Sequence, residues 1–241
     1  MSISLDIVPE TGSTNADLLA RLAGGEVIPE GSWLIADRQV QGRGRQGRHW
    51  LDAPGNFMGS TVVHGQAGDP VPASLSFVAA LALYETLCSH VPDPAQLRLK
   101  WPNDVLLSDT KLCGILLERE GRHTVVGIGV NLAKAPQTAD RATISLADKG
   151  ARADRDLFAQ DLACQFETEL ARWRETGTGQ LFRRWLAAAH VEGTRLTVHD
   201  EQGKTITGSF LGLEPDGALR LQLEDGTPHV VYAGEVVWER S

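Results

Sequence analysis

The sequence predicts an α+β fold, a mixed and largely antiparallel sheet with helices over residues 1–190, followed by a small β-barrel over residues 191–241. Three observations carry this. Strand-like and helix-like runs mix without strict alternation, which disfavours a doubly wound parallel sheet. Two β-rich runs, 111–118 and 124–132, flank a turn at 119–122 and predict a hairpin. From Gly193 onward, short strand-like runs recur between glycine turns, the pattern of a small barrel that leans on the larger domain.

In chain order, residues 3–8 read as a short strand and Thr14–Ala23 as a helix. The helix has Thr14 as N-cap, Asp17 in its first turn, an apolar stripe of Leu18, Leu19 and Leu22, and a Gly24-Gly25 stop. Ser32–Ala36 is a second strand that runs into 38–50, a Gly/Arg stretch with no acid, which must be a loop. A turn at 52–56 leads to a strand over Phe57–His64, then to a helix opening near Pro72. Residues 97–101 alternate as a strand that Pro102 ends. The run 154–173 has helical spacing at Leu157, Phe158, Leu162, Phe166, Leu170 and Trp173, and a shorter helix follows over 181–188. The barrel strands are 195–198, Thr205–Leu213, 219–223, 229–232 and 236–238, with turns at Gly203, Pro215-Asp216-Gly217 and Asp225-Gly226.

Composition narrows the function classes. With 42% hydrophobic and 22% charged residues, the chain is an ordinary globular one, not a disordered or fibrous one. A formal charge of −8 argues against a protein that coats nucleic acid, because such binding draws on many Lys and Arg contacts to phosphate. Cys88, Cys113 and Cys164 are odd in number and lack CxxC spacing, so reduced thiols and no protein-held metal are expected. The N-terminus shows no basic-then-apolar signal pattern, and the apolar run 75–87 contains Ser76, Tyr84 and Glu85 and is too short to span a bilayer. A cytoplasmic protein with no membrane partner is the expectation.

Three clusters carry chemistry. The first is Gly42-Arg43-Gly44-Arg45-Gln46-Gly47-Arg48-His49-Trp50. It spells GxGxxG, yet polar residues separate the preceding strand from the glycines and no apolar helix follows, so the dinucleotide reading fails. Glycines let backbone approach a ligand, and alternating arginines offer planar forks for carboxylate or phosphate. A solvated Arg/Gly segment and an RNA-binding arm are the competing readings, and Trp50 either stacks on a base or belongs to the core. The second cluster is Lys100-Trp101-Pro102-Asn103-Asp104 with Lys111, which a strand end and a neighbouring strand would bring to one place. Two ammonium groups there suit a reaction between two anions, whereas a surface salt bridge is the bland alternative. In the third, Gly127-Ile128-Gly129-Val130-Asn131, glycines inside a strand mark either a floor for a flat ligand or a bulge.

Together GRGRQGRHW, KWPNDVLL, KLCGILLE and GIGVNL, in this order and preceded by Ser13-Thr14-Asn15, resemble the biotin protein ligase family over essentially the whole chain. The resemblance implies a fold like class II aminoacyl-tRNA synthetases and biotin ligases, with an SH3-like barrel behind it. It implies ATP-dependent formation of biotinyl-5′-adenylate, with Mg²⁺ shielding the phosphates, then transfer of biotin to a lysine of the biotin carboxyl carrier protein of acetyl-CoA carboxylase. By motif, Ser13, Thr14, Asn15, Gln39, Arg43 and Gly44 would recognise biotin, and Gly114, Gly127 and Gly129 would line its channel. Arg45 and Lys111 would meet both the biotin carboxylate and the activated phosphate. Arg48, Trp50, Asn103 and Asn131 would hold the AMP portion, and Lys100 and Asp104 would assist catalysis.

Two departures stand out. Gln46 occupies a place where the family commonly has arginine, which removes a cation and could loosen the intermediate. One short strand alone precedes Ser13, so no DNA-binding helix-turn-helix and no repressor role are expected. An exposed sheet edge could support a homodimer. A lipoate or octanoate transferase is the rival enzyme, and a non-enzymatic nucleic-acid binder is the rival from another class.

Overall fold

The computed structural model describes residues 3–137, 142–199 and 204–238, which leaves the Gly203 turn outside the described residues. The larger sheet comprises β1 (Ser4–Val8), β2 (Ser32–Ala36), β3 (Phe57–His64), β4 (Leu97–Lys100), β5 (Asp104–Leu107), β6 (Thr110–Glu120) and β7 (His123–Val130). Its order is β1-β2-β3-β7-β6-β5-β4. Among the described strands only the β1–β2 pair is parallel, so the sheet is mixed and largely antiparallel as expected. The β6–β7 hairpin turns at Gly121 and Arg122, where Gly121 takes φ 57°, a left-handed conformation that glycine adopts at no steric cost.

One strand escaped the sequence reading. β5 begins at Asp104 and inserts between β4 and β6, so β6 is two strands from β4 instead of its neighbour. Its four residues Asp104, Val105, Leu106 and Leu107 are all buried, so no alternation marks it, and Pro102 just before it reads as a stop.

Alternation along the central strands divides the sheet faces. Ile35, Phe57, Val63, Val126, Ile128 and Val130 face a large core beneath α2 (Leu75–Cys88) and α3 (Arg155–Ala187). Leu34, Val62 and Val125 face the other way and bury Leu18 of α1 (Thr14–Ala23) with Ile28. α2 is apolar nearly all round because the sheet and α3 sandwich it. α3 contains a break at Gly177 (φ 71°, ψ −169°), which matches the two helical runs read from sequence.

The C-terminal unit is a five-stranded antiparallel sheet, β8 (Arg195–His199), β9 (Thr205–Leu213), β10 (Leu219–Gln222), β11 (Pro228–Val231) and β12 (Glu235–Trp238). Its order is β11-β10-β9-β8-β12. It is welded to the larger layer at named points. Trp101 Nε1 donates to Gly217 O at 3.0 Å, and Gly217 fits against Phe77 so closely that a Cβ there would stand 2.9 Å from the ring.

His190 sits in this junction, buried against Phe210. Burial, with Lys100 and Arg98 adding repulsion, pushes its pKa from the ordinary 6.5 to about 4. Between these values the unfolded chain binds a proton that the folded protein does not, so stability rises with pH through the window and falls on acidification. Wild type should lose roughly 2 to 3 kcal/mol of unfolding free energy between pH 7 and pH 4.5 from this group alone. Urea melts at both pH values check it: His190→Gln should lose less stability on acidification than wild type by about that amount.

Candidate active site

The site is built on the α1 face of the sheet, where the register aligns small residues in rows. Asp104, Gly114, Gly129 and Met58 form one cross-strand row over β5, β6, β7 and β3. Leu116, Gly127 and Ser60 form the next. A side chain at either β7 glycine would fill occupied space. A Cβ on Gly129 would lie 2.4 Å from the Trp50 ring, and one on Gly127 would lie 2.2 Å from Asn15 Oδ1. These glycines are therefore a floor for a close approach and not a bulge, since the β3–β7 and β6–β7 registers run unbroken past them. Above this floor is a cavity of about 590 Å³.

One wall is the start of α1. The structure corrects the capping assignment, because Ser13 occupies the N-cap position and Thr14 is the first helical residue. Thr14 Oγ1 is instead committed sideways, at 3.1 Å from Gln39 Oε1 and 2.7 Å from Ser60 Oγ, while Thr14 N donates to Gln39 Oε1 at 2.8 Å. Gln39 thus satisfies from the loop one of the N–H groups that the first turn of the helix leaves without an intrahelical partner. Asn15 donates to Glu118 Oε2 at 2.8 Å and accepts from Ser60 Oγ at 2.6 Å. Glu118 also pairs with Arg43 at 3.2 Å, which ties the loop to the wall.

The Gly/Arg loop lies over the floor. Trp50 N donates to Gly42 O at 2.9 Å and Gly44 N to Arg48 O at 2.7 Å, so the segment closes on itself like a small hairpin. Gly42 is required there, since a Cβ would stand 2.5 Å from Trp50 O. Trp50 is neither a core residue nor exposed: its ring rests on Gly129 and Gly114, and its buried Nε1 has no hydrogen-bond partner among the described residues. Each arginine finds a partner distant in sequence. Arg38 meets Glu10 at 3.1 Å, Arg45 donates to Asn103 Oδ1 at 3.3 Å, and Arg48 meets Glu235 at 2.5 Å.

The far end of the floor is charged. Asp104, 5% exposed, lies between Lys111 Nζ at 2.5 Å and Lys100 Nζ at 3.6 Å. The pair is therefore no surface salt bridge. A carboxylate taken from water needs both cations, and each ammonium keeps donors for a second anion. Asn103 Nδ2 donates to Ile115 O at 2.6 Å, which fixes the amide oxygen toward Arg45. Asn131, also buried, donates to Ile144 O at 3.2 Å and holds the 143–146 segment beside the site. Ser13, Thr14, Asn15, Gln39, Arg43, Gly44, Arg45, Arg48, Trp50, Lys100, Asn103, Asp104, Lys111, Gly114, Gly127, Gly129 and Asn131, the residues singled out from sequence, all line this one cavity. No group of three or more His, Cys, Asp or Glu that could hold a metal ion occurs among the described residues.

Comparison with known proteins decides the family. Residues 13–133 match the biotin/lipoate A/B protein ligase family, and residues 193–238 match the biotin protein ligase C-terminal domain. This chain belongs to the biotin protein ligase family. It is 38% identical to a biotin–[acetyl-CoA-carboxylase] ligase of Mycobacterium tuberculosis, over 97% of this chain and 88% of that protein. A ligase of the same name from Paracoccus denitrificans is also 38% identical, over 95% of this chain and 98% of the relative. Among solved structures, biotin protein ligase from Aquifex aeolicus in complex with biotin and ATP superposes with a TM-score of 0.84 at 26% identity, covering 99% of both chains. The C-terminal sheet is accordingly the small SH3-like unit of the family.

Sequence reasoning missed three contributors to the site. Ser60 and Glu118 sit in strands read as structural, though a polar residue on the α1 face of an apolar sheet was a usable signal. Glu235 lies 187 residues from Arg48, and nothing local points to it.

Because the glycine floor is tight, Gly127→Ala and Gly129→Ala should each lower unfolding free energy by about 1 to 3 kcal/mol, the range of overpacked sites. Gly179→Ala, in α3 with nothing within 4 Å of its Cβ position, should be neutral or stabilise by up to about 1 kcal/mol. Chemical denaturation of the three variants checks the contrast.

Proposed function

We propose that the chain activates biotin with ATP to biotinyl-5′-adenylate and transfers the biotinyl group to a lysine of the biotin carboxyl carrier protein of acetyl-CoA carboxylase. The observation that carries the reading is the glycine-floored cavity, with an arginine loop above it and the Lys111–Asp104–Lys100 cluster at its end. The relatives' names favour biotin over lipoate or octanoate as the acid.

In the first half-reaction a carboxylate oxygen of biotin attacks the α-phosphorus of ATP. An O–P bond forms, the bond to the β-phosphate oxygen breaks, and pyrophosphate leaves with its electron pair. Both reactants are anionic, so Lys111, Lys100 and Arg45 must neutralise their approach and the charge developing at phosphorus. Asp104 fixes both ammonium groups in place. Ser13, Thr14, Asn15, Gln39, Arg43 and Gly44 take the biotin head, over the channel formed by Gly114, Gly127 and Gly129. Arg48, Trp50, Asn103 and Asn131 hold the AMP portion, with the Trp50 ring and its unpartnered Nε1 offering a stacking face and a donor. Mg²⁺ carried on the ATP phosphates would supply charge shielding there, beside the cations of Lys100, Lys111 and Arg45.

In the second half-reaction the carrier lysine nitrogen attacks the anhydride carbonyl, an amide forms and AMP departs. The catalytic work belongs to residues 1–190, with 191–241 as an accessory unit. No helix among the described residues is long and apolar enough to cross a membrane, and a cytoplasmic site of action, where ATP and carrier meet, fits this reading. The outer edge of β1 is compatible with a homodimer, whereas β4 is covered at Leu99, whose N–H donates to Ala188 O at 2.8 Å.

The first test is biotin-dependent exchange of labelled pyrophosphate into ATP. Exchange is expected with biotin, not with lipoate or octanoate, and should fall at least about 100-fold in Lys111→Ala or Arg45→Ala, the scale of losing one transition-state contact to charge. Exchange with lipoate alone would move the function to the rival acid. Limited trypsin digestion supplies a second check. Cleavage at Arg43, Arg45 and Arg48 should slow when biotin and ATP are both present, because the arginines are then held on the intermediate.

A further inference from the structure

Arg48 Nη2 donates to two acceptors, Gln46 Oε1 at 2.8 Å and Glu235 Oε2 at 2.5 Å. One acceptor comes from the loop itself and the other from the first residue of β12. Both hold the same prong of the guanidinium fork, and a planar group held there has the direction of its remaining N–H donors set by them. Gln46, Arg48, Gly234 and Glu235 all line the cavity, so this contact lies in the wall of the site.

The backbone at Gln46 supplies a second, independent observation. It adopts φ 56° and ψ 35°, the left-handed region that only Gln46, Ser108 and Asp109 occupy among the described non-glycine residues. A non-glycine residue holds that conformation at a steric cost unless its surroundings compensate. Here the conformation folds the side chain back to reach Arg48 two residues on. The residue type matters as well, because an amide can accept from a guanidinium while arginine or lysine cannot. The ordinary alternative is a surface ion pair worth little. Arg48 and Glu235 are 40% and 28% exposed at their side chains, so the pair adds little to stability and its consequence lies in geometry.

We propose that Gln46 is a positioning residue for Arg48, with Glu235 as the second acceptor on the same guanidinium prong. The inference rests on the proposed role of Arg48 toward the AMP portion. Gln46 is then no loss of a cation but the acceptor that aims one.

The test uses the full chain with Gln46→Met, which keeps length and removes the acceptor, Glu235→Met, Arg48→Ala, and the double variants with Arg48→Ala. Pyrophosphate exchange gives KM for ATP and for biotin, and calorimetric titration gives ATP affinity without turnover. Gln46→Met and Glu235→Met should each raise KM and Kd for ATP by about three- to tenfold, the coupling expected of one charge-assisted hydrogen bond. KM for biotin should stay within about twofold, and neither change should add to the Arg48→Ala effect, since the coupling runs through that side chain. Unchanged ATP affinity in Gln46→Met, or losses that add fully to Arg48→Ala, would overturn the proposal. Absence of biotin-dependent exchange in wild type would refute the ligase reading instead, while the calorimetric cycle still decides how Arg48 is held.

Discussion

The site depends on an empty space above two neighbouring strands. In a pleated sheet each Cβ stands over its own strand, and at Gly114 and Gly129 the cross-strand register gives up two adjacent Cβ positions. Trp50 lies in the space, and everything else is arranged around its ring. The loop must close to put Trp50 there, which requires Gly42 beside its carbonyl. The charged cluster must sit at the end of the row, and Asp104, paired directly with Gly114, places it there. The opposite face carries Ile115, Ile128 and Val130 into the main core, so the floor cannot shift without moving the centre of the protein.

Charge placement follows a second constraint. The chain is acidic overall, yet four arginines occur within 38–50 with no acid among them. The folded protein answers them from elsewhere: Glu10, Glu118 and Glu235 come from the first strand's end, from β6 and from β12. These partners are part-exposed, so the pairs cost little to open and contribute little to stability. Such pairs suit a site whose arginines must exchange a resident carboxylate for an incoming anion. The Lys111–Asp104–Lys100 cluster is different, because its carboxylate is buried and loss of either cation would leave it poorly compensated.

Much of this was legible in the residues. The helix at 14–23, the 57–64 strand and the five C-terminal strands appear where apolar periodicity and glycine turns put them, and the hairpin turn is at 121–122, tighter than the 119–122 expected because β6 runs on to Glu120. Where the structure differs from the expectation, the reason is physical. β5 lacked alternation because both of its faces are covered. The N-cap position falls at Ser13, whose backbone is extended, while Thr14 is already helical and its hydroxyl bonds to Gln39 and Ser60. Gln46 is a separate case: residue type shows an amide where a cation is common, and only the fold shows the guanidinium to which it bonds.

The sequence by itself determined the elements, the acid-free arginine loop, the lysine–aspartate pair and the glycines of β7, because each is written in local residue type and spacing. Tertiary structure alone decided that Gly114 and Gly129 form one floor, that Trp50 covers it, and that Glu118 and Glu235 reach the loop. Those are contacts between residues up to 187 positions apart. They depend on strand register and on how two sheets dock, and register is set by the sum of the packing across both faces and not by any short stretch of chain.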